Sequence, residues 1–592
     1  MLRIRNHGQD ARATRRLRNF CYGYRHFHRP RTCGLANGRK SGFFAGMSGR
    51  TQKNRHRSTF AQNQRQPASA AAGTGALNRG LHAYLLLTAC VTGASVMIVE
   101  ILGARMLAPY IGTSHFVWTA QIGVTLVALA AGYALGGWFA DRAPRPSCMF
   151  AAILLAALLL AFTVLACRPV ALACLRLALA PGSLLASAFL FFPPLLLLGM
   201  VPPFLVRLLT VSLDNVGISV GRLSAISTLG SVAGTIAVGY LLVPFFPNSG
   251  IMCGTAGALS LLALGYFAVW RRRHIAGAAL LTLATAGAGV WGSAYATLVH
   301  PSRFAEIFRA NSNFGLMEVV DDRETGVRYY LNDLLVQNSH DPATDRSDAL
   351  FTYMLHGLAR AYTPQPVSDV LCIGMGVGIV PMQFAREGAG VDVVEINPAV
   401  LPLAREYFGF DPAAVRVHIG DGRRFIATPG RLYDTIILDA FLGESPPSHL
   451  MTREALAAMK ARLKPGGTLV INTFGSFWPG RDFSIDSLDL TLAAVFATVR
   501  VHPDRAGGGS SGIFVVATDT PDARPLRRPD FADAPPHLRT RALAALGAVH
   551  VFGNKRQGIV LTDDYNPVDY HDAANRAELR RRLALGMIAR RP

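Results

Sequence analysis

Residues 370–398 read VLCIGMGVGIVPMQFAREGAGVDVVEINP. An apolar run, Val370-Leu371-Cys372-Ile373, stops at three glycines, Gly374, Gly376 and Gly378. A helix-like segment with Met382, Phe384 and Ala385 follows. A second apolar run, Val391 to Val394, then ends on Glu395. Strand, tight turn, helix and strand, with an acid about 20 residues past the first glycine, is the pattern of a nucleoside-binding α/β unit. Glycines let backbone approach a ligand where a Cβ would clash. A carboxylate at the tip of the second strand accepts both hydroxyls of a ribose. The competing reading is an ordinary turn in a structural α/β domain.

The flanking sequence extends the alternation. Val415–Ile419 reads as a strand ending at Gly420-Asp421-Gly422, and Tyr433–Asp439 is apolar almost to its final acid, as in a strand covered on both faces. Thr452–Leu463 reads as a helix stopped by Lys464-Pro465-Gly466-Gly467, with strands at Thr468–Thr473 and Ile513–Thr518. Upstream, Phe314–Val320 and Val327–Leu331 form a hairpin pattern turning at Asp322–Gly326, and Asp348–Tyr362 reads as a helix. Alternating strands and helices predict a parallel sheet with helices on both faces. Ligands bind beyond the carboxyl ends of such strands. The glycine turn, Glu395, Asp421 and Asp439 therefore converge on one crevice.

The whole chain, 592 residues and 51% hydrophobic, is too apolar for a single soluble domain. Residues 1–80 carry 17 Lys and Arg and one acid, Asp10, so +16 of the net +22 sits there. That excludes a basic nucleic-acid binder and leaves a basic N-terminal arm, read as disordered. It suits anionic lipid, unless translation starts later, at Met47. Eight cysteines show no CxxC pair and no His/Cys spacing for zinc, so neither a metal site nor a disulfide framework is expected.

Between residues 81 and 296, seven apolar spans (81–101, 117–140, 148–167, 183–208, 220–245, 250–270 and 275–296) are each long enough to cross a bilayer. Pro193-Pro194 and Pro202-Pro203 are expected to bend the fourth. Arg142 and Arg145, Arg207 and Arg222, and Arg271–Arg273 fall in alternate loops, which puts the N-terminus in the cytoplasm. Seven crossings would then put residues after 297 outside. One re-entrant segment would restore a cytosolic C-terminal domain, which is the arrangement expected. Glu100 is either a functional acid at membrane depth or a partner for Arg105.

These positions together resemble the spermidine/spermine synthase (polyamine aminopropyltransferase) family. The carriers are Ile373–Gly378, Val394-Glu395-Ile396-Asn397, Gly420-Asp421-Gly422 and Ile437-Leu438-Asp439-Ala440. Leu331–Gln337 and Phe351-Thr352-Tyr353 are similar to the family's substrate-side Gln and Tyr. Glu100–Tyr110, Gly132–Asp141 and Leu561–Val568 resemble bacterial membrane proteins that fuse a transporter-like bundle to such a domain.

The resemblance implies a membrane bundle followed by a small β domain and a class I methyltransferase-like, Rossmann-like sheet. It implies a multi-pass protein of the bacterial inner membrane, a small amine substrate and a homodimer. Decarboxylated S-adenosylmethionine, or S-adenosylmethionine itself, would be held by Gly374, Gly376, Gly378, Glu395, Asp421 and Gly422. Asp439 would be the catalytic base, and Gln337 and Tyr353 would face the acceptor. Two positions depart from the pattern. Val377 and Leu442 stand where the family carries aspartates for cationic substrate groups, and Glu444, Asp341 or Asp345 could supply a relocated charge. The alternatives are transfer from S-adenosylmethionine to a non-polyamine acceptor, and a transporter with a nucleoside-sensing domain. The expected divisions are a basic arm (1–78), a multi-span domain (79–298), a small β domain with a helix (300–365), the catalytic domain (366–525) and a C-terminal extension (526–592).

Overall fold

The computed structural model describes residues 79–210, 216–295, 302–441, 443, 446–505, 511–553 and 556–588. The basic arm, Leu442 and Glu444 lie outside the described residues.

Apolar helices come first: α1 (Arg79–Ile111), α2 (His115–Arg142), α3 (Pro146–Cys174), α4 (Leu179–Gly199), α5 (Val201–Leu209), α6 (Val216–Ile236), α7 (Asn248–Trp270) and α8 (Ile275–Tyr295). α4 and α5 make one bent span, and a π-helical turn, Ala237–Leu242, prolongs α6. The described residues thus hold seven helices long and apolar enough to cross a membrane. The bend falls at Met200, ahead of Pro202-Pro203, whereas Pro193-Pro194 sit inside α4. α1 and α6 meet backbone to backbone. A Cβ on Gly234 would stand 2.6 Å from the Ala94 carbonyl oxygen, and one on Gly230 would overlap that of Cys90. Small residues permit that approach.

The odd-numbered spans end, and the even-numbered ones begin, on the face where the α/β half packs. Ala108 meets Arg580 there, Thr113 meets Gly443, and the Phe246 carbonyl accepts a hydrogen bond from Asn311 (2.8 Å). Length and composition single out none of the seven as re-entrant among the described residues. Nor does Glu100 pair with Arg105, which donates instead to the Asn313 carbonyl (2.8 Å).

An antiparallel five-stranded sheet follows, β1 (Phe304–Ser312), β2 (Gly315–Asp322), β3 (Arg328–Asn332), β4 (Leu335–Asp341) and β5 (Arg346–Ser347), in sequential order. The expected hairpin is β2–β3, closed by Asp322 N–H to the Val327 carbonyl (2.9 Å). This sheet is continuous with the bundle: Phe304, Val320, Leu331 and Leu334 belong to the spans' own apolar core.

The α/β half runs α9 (Leu350–Tyr362), β6 (Asp369–Ile373), α10 (Ile379–Arg386), β7 (Gly390–Glu395), α11 (Val400–Phe408), β8 (Arg416–Ile419), α12 (Gly422–Ala427), β9 (Tyr433–Leu438), α13 (Arg453–Ala461), β10 (Leu463–Gly475), α14 (Phe483–Ala493), β11 (Thr498–Pro503) and β12 (Ser511–Thr518). Then come α15 (Pro536–Gly547), α16 (Val568–His571) and α17 (Ala573–Ile588). The strand order is β11-β12-β10-β9-β6-β7-β8. β8, β7, β6, β9 and β10 pair in parallel, and β12 is antiparallel to both its neighbours. The Rossmann-like sheet is therefore parallel apart from one reversed strand. Lys464–Gly467 does not simply stop a helix but lies inside β10, as a break in its register against β9.

Side chains alternate between faces. On β6, Val370 and Cys372 pack in one core, while Leu371 and Ile373 pack in the other. Burial on both faces is why these strands read as unbroken apolar runs.

Candidate active site

β6 and β9 are neighbours, but the chain leaves them in opposite directions across the sheet, so a crevice opens at their carboxyl ends. A cleft of about 300 Å3 lies there. It is lined by Gly374, Gly376, Glu395, Asp421, Gly422 and Asp439, all named from the sequence, together with Gln337. Gly378 is not on its wall. It caps α10 at φ +86°, in a space where a Cβ would overlap the ring of Phe410.

The glycine turn is held against both neighbouring strands. Gly374 N–H donates to the Val394 carbonyl (2.9 Å), and Asp439 N–H donates to the Ile373 carbonyl (2.9 Å). Gly374 has φ +94°, and a Cβ there would overlap the Asp439 carbonyl oxygen. Only glycine fits both conditions.

Glu395 accepts from Met375 N–H (3.0 Å) and Asn397 N–H (2.8 Å). Burial holds its pKa above the ordinary carboxylate range, and these backbone donors oppose that shift. Asp421 caps α12 by accepting from Arg424 N–H (2.9 Å), and His449 Nε2 lies 3.5 Å from its other oxygen. Asp439, one residue past β9, accepts from Asn472 Nδ2 (2.8 Å). Burial pushes it up to about 7, against that donor. Among the described residues no lysine or arginine lines the cleft. Three carboxylates without a cationic side chain attract a cation.

Several expected residues lie elsewhere. Tyr353 is buried outside the cleft, donates to the Ser347 carbonyl (2.9 Å) and borders a separate cavity behind α9 and α10. Phe351 takes the cleft position instead. Asp341 bonds Thr344 and Ala343 N–H, while Asp345 lies near Arg386 (3.4 Å), so neither carboxylate reaches the cleft. Val377 is 1% exposed and packs in the core, and its N–H donates to Asn338 Oδ1 (3.2 Å). Asn338, Asn472, His449, Leu579 and Leu583 line the cleft without having been singled out in the sequence.

Residues 350–502 match the family profile described as the spermine/spermidine synthase domain. The polyamine aminopropyltransferase of Vibrio vulnificus is 45% identical over 133 residues, 21% of this chain and 44% of that protein. Polyamine aminopropyltransferase 2 of Hyperthermus butylicus is 32% identical over 185 residues, 29% of this chain and 59% of that protein. This chain thus spans about half the length of these curated relatives. A probable spermidine synthase from Corynebacterium glutamicum is similar in structure at 18% identity, over 43% of this chain and 98% of that one, with a TM-score of 0.34. Behind its seven apolar helices, this chain carries a stretch, residues 350–502, that matches the spermine/spermidine synthase domain.

Proposed function

We propose that the protein is a membrane-anchored transferase that moves an aminopropyl group from decarboxylated S-adenosylmethionine to an amine. One observation carries this reading: a glycine turn that admits no Cβ opens into a cleft with Glu395, Asp421 and Asp439 on its wall and, among the described residues, no lysine or arginine. These residues fit an adenosine bearing a sulfonium. Glu395 would take the ribose hydroxyls and Asp421 the adenine amine, with backbone packed against Gly374 and Gly376. Gln337 faces the same space. The sulfonium supplies an electrophilic carbon and a neutral sulfide as leaving group. Asp439, held by Asn472, accepts the proton of the attacking amine. A carboxyl near 7 is matched to that work at neutral pH. Positioning supplies much of the rest.

Methyl transfer from intact S-adenosylmethionine is the second reading. Val377, buried in the core, offers no counter-charge for an aminopropyl ammonium. The chain is also 30% identical over 229 residues to an N-terminal histidine N-methyltransferase of Emericella nidulans, covering 39% of it. The test is calorimetric binding of both nucleosides to the full chain, followed by methylthioadenosine release with added amines. Preference for the decarboxylated form and release lost in Asp439→Asn support aminopropyl transfer. Preference for the intact form refutes it.

A further inference from the structure

We infer that the acceptor is an amphiphilic primary amine, one amino group on a long alkyl chain, rather than a water-soluble diamine. This rests on the aminopropyl-transfer reading above and deepens it.

A diamine brings a second ammonium, and burying that charge without a partner is costly. Among the described residues the cleft carboxylates are Glu395, Asp421 and Asp439, all at strand ends. The first two are committed to the nucleoside and the third to the attacking nitrogen. Among the described residues none remains for a distal cation, and Asp341 and Asp345 face elsewhere. The rest of the wall is largely carbon. Phe314 comes from the β1–β2 turn, Leu335 and Val336 from β4, Phe351 from α9, and Leu579 and Leu583 from α17.

That apolar wall is joined to the spans. Val336 packs against the same core that fills the helix bundle. α17 lies against α1 and α4. Between its two cleft-lining leucines, Arg580, fully buried, donates to the carbonyls of Ala108 (2.8 Å) and Pro109 (3.2 Å) at the end of α1. On the cleft rim, a Cβ built on Gly443 would stand 3.2 Å from Thr113 Oγ1, in the turn between the first two spans. The cleft therefore meets the helix bundle at its span ends, where an alkyl chain has apolar surface to follow and a free diamine has none.

The step balances. The amine lone pair forms a C–N bond to the carbon beside the sulfonium, and the C–S pair returns to sulfur. Methylthioadenosine leaves, and the displaced proton passes to Asp439.

The test uses the full chain in lipid nanodiscs with decarboxylated S-adenosylmethionine. Three acceptors are compared: putrescine, free dodecylamine, and phosphatidylethanolamine in the disc. Methylthioadenosine is measured, and the acceptor is checked by mass spectrometry for one added aminopropyl group. Turnover of dodecylamine or phosphatidylethanolamine at least 10-fold above putrescine is expected, and these two arms separate a free amine from a lipid headgroup. Leu583→Gln should reduce that turnover 10-fold or more while nucleoside binding persists. Putrescine turnover equal to or above both amphiphiles overturns the inference while leaving aminopropyl transfer standing. No release with any amine overturns both.

Discussion

On the proposed mechanism, the contact between Asn472 and Asp439 sets the pH at which activity switches on. Asn472 Nδ2 donates at 2.8 Å to a carboxylate that burial pushes up to about 7. The donor favours the ionised form, so removing it must raise the pKa further. A hydrogen bond to a charged group contributes about 1.5–3 kcal/mol. At 1.36 kcal/mol per unit, Asn472→Leu should move Asp439 up by about 1–2 units, from about 7 to about 8–9. As the proposed base, Asp439 works only when ionised, so activity should rise with pH through this value. At pH 7 the ionised fraction would drop from about one half to about 1–10%, and the rate would fall about 5- to 50-fold. The high-pH plateau should be unchanged. The assay is methylthioadenosine release over about pH 5 to 10. The acceptor's own ammonium, titrating near 10, adds a limb common to both proteins. A limb that stays near its original position in Asn472→Leu would falsify the assignment of that limb to Asp439. Collapse of the plateau would show that Asn472 holds substrate instead.

Three further outcomes are expected. Gly374→Ala combines a positive φ with overlap on the Asp439 carbonyl, and should weaken nucleoside binding at least 10-fold by calorimetry, about 1.4 kcal/mol or more; unchanged affinity would mean the ligand does not sit on this turn. Arg580→Ala leaves the Ala108, Pro109 and Asp333 carbonyls short of a donor, and should cost about 2–3 kcal/mol, read as an earlier thermal transition in detergent; an unmoved transition would count against α17 as a brace. The basic loops, Arg142 with Arg145, Arg207 with Arg222, and Arg271–Arg273, all lie at the span ends away from the α/β half. Excess basic charge marks the cytoplasmic face. Exposed Cys148, as the sole cysteine of a variant, should therefore react with an impermeant maleimide from the cytoplasmic side alone. Labelling from the opposite side would reverse the orientation. Labelling from the cytoplasmic side would place the α/β half on the outer face, opposite to the cytosolic placement expected from the sequence.

What was legible in the sequence follows burial. β6, β7 and β9 are covered on both faces, so Val370–Ile373, Val391–Val394 and Tyr433–Leu438 announce themselves as apolar runs, and the acids at their tips fall where strand ends must lie. β1, β4 and β5 are half-exposed, mixed in composition or only two residues long, and carry no such signal. Tyr353 was misplaced by helical phase. Two residues along a helix is a turn of about 200°, so Phe351 faces the cleft and Tyr353 faces away. The amides Asn338 and Asn472 have no distinctive spacing, and each is in place only because a particular turn or strand end stands opposite. α17 is rich in arginine and falls in what the sequence marks only as a C-terminal extension. Its role comes from contacts with residues far back in the chain, which no local pattern encodes.

That last contact governs how the protein is made. Arg580 and Ala108 are 472 positions apart. Synthesis is vectorial, from the N-terminal end, so the spans emerge and can insert long before α17 exists. Until it does, the end of α1 lacks its guanidinium donor and the cleft lacks Leu579 and Leu583 on its wall. A chain stopped shortly before residue 579 would keep every span and every strand of both sheets, yet leave the site open on one side. On the proposed function, transfer would thus depend on synthesis of α17, because a product stopped before it lacks one wall of the cleft.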